Sequence, residues 1–356
     1  MRNRSSLAAF ALSHLAVDLA CFFVLRGSFL RAFSDGQLLS AGYLLYNALA
    51  FMLQLFIGLL VDRFRIAPRW CGLVGCLTVA LGVALPVLPW LQLSIVALGN
   101  AVFHIGGGID SLVFADGRFA RSGYFISFGA VGVVLGSLLG PLAVVPAGVV
   151  SLLVLACAVC LVACCRQPAV PFEARFELAP AQLGGGVLRD AGVIVVLLCL
   201  SAIVIRALVG AFTPLTWRTS DLLLLVSALA VFAGKFCGGW LADRLGARSV
   251  CLVALAVSAP LLAFANSQPA LCCLGLLLFN IPTASTLCVV ASQLPGHPGF
   301  SFGLTTFALF LGTVPSFFWL LPEPLRPILT LLLVGCAAAI AWLVMPGIQH
   351  GAQAES

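Results

Sequence analysis

Apolar runs long enough to cross a bilayer follow one another, with only short polar breaks, from about residue 7 to about residue 346 of this 356-residue chain. A crossing takes about 20 residues as helix, and this pattern leaves no stretch in which a separate soluble domain could fold. Spans are expected at roughly 7–27, 38–61, 70–89, 91–114, 122–141, 143–165, 191–213, 220–242, 249–267, 269–291, 299–321 and 325–346, twelve in all. Pro86, Pro89, Pro141 and Pro260 mark ends or kinks that neighbouring helices must compensate. The first run is too long, and too polar at its far end, for a cleaved signal peptide, and is expected to persist as a helix. Composition agrees: 62% of residues are hydrophobic and only 8% charged, where a soluble domain carries about a quarter charged residues.

Arginine sets the orientation. Arg2 and Arg4, then Arg63, Arg65 and Arg69, then Arg118 and Arg121, then Arg166, Arg175 and Arg189, then Arg244 and Arg248 fall in alternate connections. The opposite connections hold Arg31, Arg218 and Arg326, so the positive-inside rule predicts both termini in the cytoplasm. The expected location of this multi-pass protein is a cell membrane, the bacterial inner (plasma) membrane. The longest polar segment, 166–190, separates an N-terminal six-helix half, 1–165, from a C-terminal half, 191–346, with a tail at 347–356. GLLVDRF at the end of span two and GWLADRLG at the end of span eight place Asp62 and Asp243 about 180 residues apart, and Arg26 and Arg206 repeat that offset, as two duplicated halves would.

The Gly-x-x-x-Asp-Arg pattern after spans two and eight resembles the signature loop of the major facilitator superfamily, and the resemblance covers essentially the whole chain. It implies an all-α integral membrane protein of twelve transmembrane helices in two pseudo-symmetric halves, binding a solute between them near the midplane. It also implies gating and packing roles for Asp62, Arg63, Asp243 and Arg244, the aspartates capping neighbouring helices and pairing with arginine. Gly132, Gly136, Gly140 and Pro141 in span five are similar to a glycine motif of exporters, and also suit close helix packing. HLAVD, His14 to Asp18, and GNAVFHIGGG, Gly99 to Gly108, resemble segments of fosmidomycin-resistance efflux proteins, with Ile105 at the position of that family's proline. Arg26 and Arg206 are similar to the paired arginines with which organophosphate antiporters hold phosphate.

Lys235 is the one lysine beside seventeen arginines, and it lies in an apolar run. Eight residues before Asp243, it sits about 12 Å from the cytoplasmic end of its helix, near the middle of the hydrocarbon layer. A cation there costs roughly 2.5–3.5 kcal/mol and normally faces a cavity or a partner. It fits direct binding of an anion together with Arg206 and Arg26, an ion pair with Asp18 or Asp110, or a place in the cytoplasmic vestibule. Gln54, the position matching Lys235 in the other half, is a candidate for the same cavity, as are His104, Asn280 and Thr283. Arginine offers paired donors to phosphate or carboxylate oxygens, although Arg26 also suits anchoring the outer end of its helix. His14 and Asp18, one turn apart, share a helix face and with His104 form a candidate proton-coupling site or a polar lock between helices one and four. Asp110 is expected to be structural or gating.

The fourteen cysteines lie almost entirely in apolar spans, without zinc-like spacing, and read as small hydrophobes; no metal site or cofactor is expected. The sequence holds no phosphate-cradling loop, nucleophile elbow or His-Glu-x-x-His, so no enzyme activity is expected. The net charge of +6 is accounted for by loops and intramembrane arginines and implies no nucleic acid partner. The expectation is a monomeric secondary transporter in the lipid bilayer, symporter or antiporter, moving a small anionic organic solute (organophosphate, phosphonate or carboxylate) by proton coupling or exchange. Two rival readings are a proton-coupled exporter of hydrophobic or cationic drugs that binds them at Asp18, and a non-transporting receptor or scaffold.

Overall fold

The computed structural model describes residues 2–33, 35–85, 87–115, 117–142, 144–165 and 192–347. The linker 166–190, the tail from 348 and Pro86 lie outside the described residues, as do the side chains of Arg2 and Arg4. All regular structure among the described residues is helical. Twelve apolar helices are α1 Ser5–Ala32, α2 Gly36–Phe64, α3 Pro68–Ala84, α4 Pro89–Val113, α5 Phe119–Leu139 and α6 Ala147–Cys164, then α7 Gly192–Phe212, α8 Asp221–Leu245, α9 Ala247–Phe264, α10 Pro269–Gln293, α11 Pro298–Phe317 and α12 Glu323–Val344. Eleven are long and apolar enough to span a membrane, and α3, at 17 residues, reaches about 25 Å. The described residues thus hold twelve apolar helices, as a multi-pass integral membrane protein does.

Differences from the expected boundaries have local causes. α3 ends at Ala84 rather than near 89, because Leu85 precedes a proline and is extended (φ −82°, ψ 125°). Proline then opens α4 at Pro89, as it opens α3, α10 and α11 at Pro68, Pro269 and Pro298, a position whose N–H has no partner in a helix anyway. α6 starts at Ala147, after Pro146, and not near 143. α10 is broken in two, Pro269–Asn280 and Pro282–Gln293, by Pro282. α1 and α2 each contain a π-helical turn, Leu25–Phe29 and Ala48–Met52, that periodicity does not reveal.

Two compact units form. The first holds residues up to 114, 125–165 and 296–310; the second holds 115–124, 192–295 and 311–347. In the first unit the least hydropathic helix, α4, is the one most buried. Hydrophobic side chains such as Leu59, Leu60, Val74 and Leu81 are exposed on α2 and α3, whereas α4 is buried almost throughout from Gly99 to Val113. Such an outward apolar face is what hydrocarbon requires.

Glycine makes the tightest contacts in both units. A Cβ on Gly132 or Gly136 of α5, or on Gly140 just past its end, would lie 2.3, 2.2 or 2.7 Å from the carbonyl oxygens of Leu15, Leu19 and Phe23 of α1, respectively. This four-residue stripe is therefore a close-packing face. In the second unit Gly234 and Gly238 of α8 stand in the same relation to the Leu277 and Ile281 carbonyls of α10, at 2.1 and 2.2 Å.

Helix amino ends are capped across the fold. Asp62 accepts from the amides of Gly299 (2.9 Å) and Phe300 (2.7 Å) at the start of α11, inside the first unit. Asp243 does the same for Phe119 (2.7 Å) and Ala120 (3.0 Å) of α5, inside the second. Each carboxylate satisfies two otherwise unpaired donors and faces the positive end of a helix dipole. We expect Asp62→Ala to cost about 1–2 kcal/mol, read as a lower thermal midpoint in detergent. An unchanged midpoint would mean that water or another group replaces the cap.

Candidate functional site

The polar centre of the first unit is built from α1, α4 and α5. His14 and Asp18 face the same way because they are one turn apart on α1, and His14 Nε2 lies 3.2 Å from Asp18 Oδ2. His104 of α4 meets them: its Nε2 is 2.8 Å from His14 Nε2 and 3.9 Å from Asp18 Oδ1. The outer ring nitrogens are tied to backbone, His14 Nδ1 to the Phe125 carbonyl and His104 Nδ1 to the Asn100 carbonyl, both at 2.9 Å. A carbonyl only accepts, so each Nδ1 carries the hydrogen and each Nε2 of a neutral ring offers a lone pair. Two lone pairs 2.8 Å apart repel unless a positive centre lies between them. Asn100 Nδ2 donates to Asp18 Oδ1 at 2.7 Å and orients the carboxylate. All three residues of the triad are less than a tenth exposed.

Sequence reasoning singled out His14, Asp18 and His104 but missed Asn100 and Gly129. Asn100 precedes His104 by one turn, the same spacing that flagged His14 and Asp18, so the signal was present. Gly129 on α5 had no such signal: a Cβ there would lie 2.3 Å from His14 Nε2 and 2.4 Å from Asp18 Oδ2. Its missing side chain leaves the space that the donor atoms occupy.

In the second unit, Arg206 of α7 reaches the break in α10. Its Nη2 donates to the Phe279 carbonyl (3.0 Å) and to Thr283 Oγ1 (2.8 Å), and its guanidinium carbon lies 5.4 Å from the Phe279 ring centre. The contact braces a helix that proline interrupts. Its Nε is buried without a hydrogen bond, and no carboxylate among the described residues lies within ion-pair distance. A cavity of about 10 Å³ beside it, lined by Cys199, Leu255, Pro282 and Thr286, has room for about one water.

The other expected residues are dispersed. Lys235 is half-buried on α8, and its carbonyl oxygen lies 2.8 Å from where a Cβ of Gly123 would stand. Arg26 belongs to the first unit, in the π turn of α1, where Nη1 donates to Tyr43 Oη at 3.3 Å. Gln54 is wholly buried, with its Nε2 donating to the Ala50 carbonyl one turn back. Asn280 likewise bonds the Leu276 carbonyl (2.8 Å) of its own helix, and its carbonyl accepts from Thr283 Oγ1 (2.7 Å). Asp110, near the carboxy end of α4, accepts a short hydrogen bond from Ser6. Arg244 lies over the Trp240 ring at 4.0 Å, and Arg63 is exposed next to the Asp62 cap. All fourteen cysteines are free thiols.

No family model matches the sequence, and no curated protein matches it by sequence. Solved structures do match in shape. The Escherichia coli fucose:proton symporter FucP superposes with a TM-score of 0.66 at 15% identity, covering 94% of this chain and 97% of that one. The human organic anion transporter MFSD10 gives 0.65 at 16%, covering 96% of this chain and 99% of that one. A bacterial homologue of the iron transporter ferroportin gives 0.64 at 16%, covering 96% of this chain and 98% of its own. The chain therefore has the major facilitator fold, matched over nearly its full length.

Proposed function

We propose that the protein is a secondary active transporter that moves a small anionic organic solute, an organophosphate, phosphonate or carboxylate, by alternating access between its two six-helix halves, 1–165 and 191–346, joined by the linker 166–190. Both termini are cytoplasmic in this reading, and the membrane is a bacterial inner membrane. The observation that carries the anionic class is Arg206: a half-buried arginine whose Nε is buried without a hydrogen bond, with no carboxylate among the described residues in ion-pair reach. A buried cation without a counter-ion is costly, and an anionic solute is the partner that removes the cost. Lys235 on α8 is a further cation of the same unit and the second proposed ligand. Arg26, Gln54, His104 and Asn280 are secondary candidates: Arg26 bonds Tyr43, Gln54 the Ala50 carbonyl, His104 the Asn100 carbonyl and His14, and Asn280 the Leu276 carbonyl. The organic anion transporter among the matched structures supports the same class.

The driving force is a proton gradient or exchange against a second solute, with Asp18 and His14 as the coupling centre. Their carboxylate and imidazole are one hydrogen-bond length apart, and the fucose:proton symporter has the same fold. Asp62 and Asp243, with Arg63 and Arg244 beside them, are proposed gates: their hydrogen bonds to helix amino ends can break and re-form as helices move. Asp110 belongs with them. A drug exporter that binds cations at Asp18 is disfavoured, because that carboxylate is already engaged by two imidazoles and an amide.

Thermal unfolding of the purified protein against phosphorylated, carboxylated, cationic and neutral solutes tests the class, because a ligand of the native state raises the midpoint. One anion class is expected to stabilise the protein. Stabilisation by cations alone would overturn the assignment.

A further inference from the structure

We propose that His14, His104 and Asp18 form a binding site for a divalent first-row transition-metal ion of the Fe²⁺, Co²⁺, Ni²⁺ or Zn²⁺ kind. Each residue offers one donor atom, and the three atoms lie within 4.8 Å of one another. Two ligands about 2.1 Å from a metal stand about 3.0 Å apart at right angles and about 3.4 Å apart at the tetrahedral angle that zinc prefers. The two Nε2 atoms, 2.8 Å apart, and the His14 Nε2 and Asp18 Oδ2 pair, 3.2 Å apart, are near that range, while His104 Nε2 and Asp18 Oδ1, 3.9 Å apart, close by about half an ångström to seat the ion.

Three further observations point to a metal. Each imidazole has its Nδ1 hydrogen committed to a backbone carbonyl, which is the arrangement that fixes the tautomer and aims Nε2 at an ion. Asn100 holds the carboxylate, while its own Oδ1, buried and without a hydrogen bond, is an acceptor that a metal-bound water can satisfy. Gly129 withholds a Cβ that would otherwise stand 2.3–2.4 Å from two of the donors. Two imidazoles and one carboxylate without thiolate select borderline divalent ions over Cu⁺ or Ca²⁺. The nearby thiol of Cys21 is turned to the Val96 carbonyl, 3.5 Å away.

The inference uses side chains assigned above to coupling, but it rests on donor geometry, and its test needs neither solute nor gradient. The full chain, stripped with chelator in detergent, is titrated with Zn²⁺ by calorimetry and with Co²⁺ by visible absorption. The expected result is one ion per chain, with affinity at least about 100-fold lower in His104→Gln and about 10- to 100-fold lower in Asn100→Leu, which removes only an outer contact. Midpoints of the metal-free variants establish that they are folded. X-ray absorption on zinc-loaded wild type needs no variant and is expected to show two imidazoles at about 2.0–2.1 Å. No bound ion, binding indifferent to His104→Gln, or a spectrum without imidazole overturns the metal site and leaves a proton as the occupant. None of these outcomes bears on the solute panel, so failure of the metal site and failure of the anion reading are told apart.

Discussion

Arg206→Gln is expected to remove the anion's thermal stabilisation of the protein, with affinity lower by on the order of 100-fold. The guanidinium keeps two neutral partners, the Phe279 carbonyl and Thr283 hydroxyl, and Gln can reproduce one of those hydrogen bonds. What Gln cannot supply is the charge. Truncating one side of a desolvated charge pair typically costs 2–5 kcal/mol, about 30-fold or more in affinity. The brace on α10 complicates a simple reading, because losing it also loosens the helix at Pro282. Arg206→Lys separates the two effects: it restores the charge as a single point donor, and is expected to recover part of the affinity but not the full hydrogen bonding. Lys235→Gln, on α8, is expected to weaken the same anion without disturbing α10. If both Gln variants are stabilised by the anion as wild type is, neither cation is a ligand.

Gly136→Val is expected to be the most destabilising single change on α5. The new Cβ would stand 2.2 Å from the Leu19 carbonyl oxygen and 2.9 Å from Phe22 Cβ, against an ordinary contact of at least 3.4 Å. Nothing flexible can yield, since the first obstacle is backbone, so α5 must move off α1 by roughly an ångström. Overpacking of this kind costs about 1–3 kcal/mol, and the two methyls of valine place it at the upper end. The displacement also reaches the polar centre, because α5 supplies the Phe125 carbonyl to His14 and the bare face of Gly129. Thermal unfolding is the readout, with Gly136→Ala intermediate and Gly148→Val, where nothing lies within 4 Å, as the control. A wild-type midpoint in Gly136→Val would rule out the close α1–α5 contact.

The helices were legible because hydrocarbon imposes a length and a composition on every span, and the ends followed where proline stood at them. Proline also explains most boundary errors, as at Leu85 and Pro146, since it dictates the residue before it or the first turn after it. The π turns were not legible, because they arise from packing between helices rather than from any residue type. At the polar centre, one-turn spacing made His14 and Asp18 readable as a pair. It did not show that the Phe125 carbonyl fixes the His14 tautomer, since that bond crosses 111 positions of sequence. Lys235 attracted attention as the lone lysine, yet the contacts around Arg206, one helix earlier, say more about unsatisfied charge. The carboxylate caps followed from the signature pattern, whereas their partners on α5 and α11 required the fold.

The π turn at Leu25–Phe29 also affects how this chain must be lined up with others. A π turn accommodates one residue more than the α-helix around it, and one residue is about 100° of rotation. Beyond the turn, α1 is therefore out of phase with the part that carries His14 and Asp18. An alignment to a helix lacking the extra residue, drawn without a gap near Leu25, would assign Arg26 and Arg31 to the wrong neighbours.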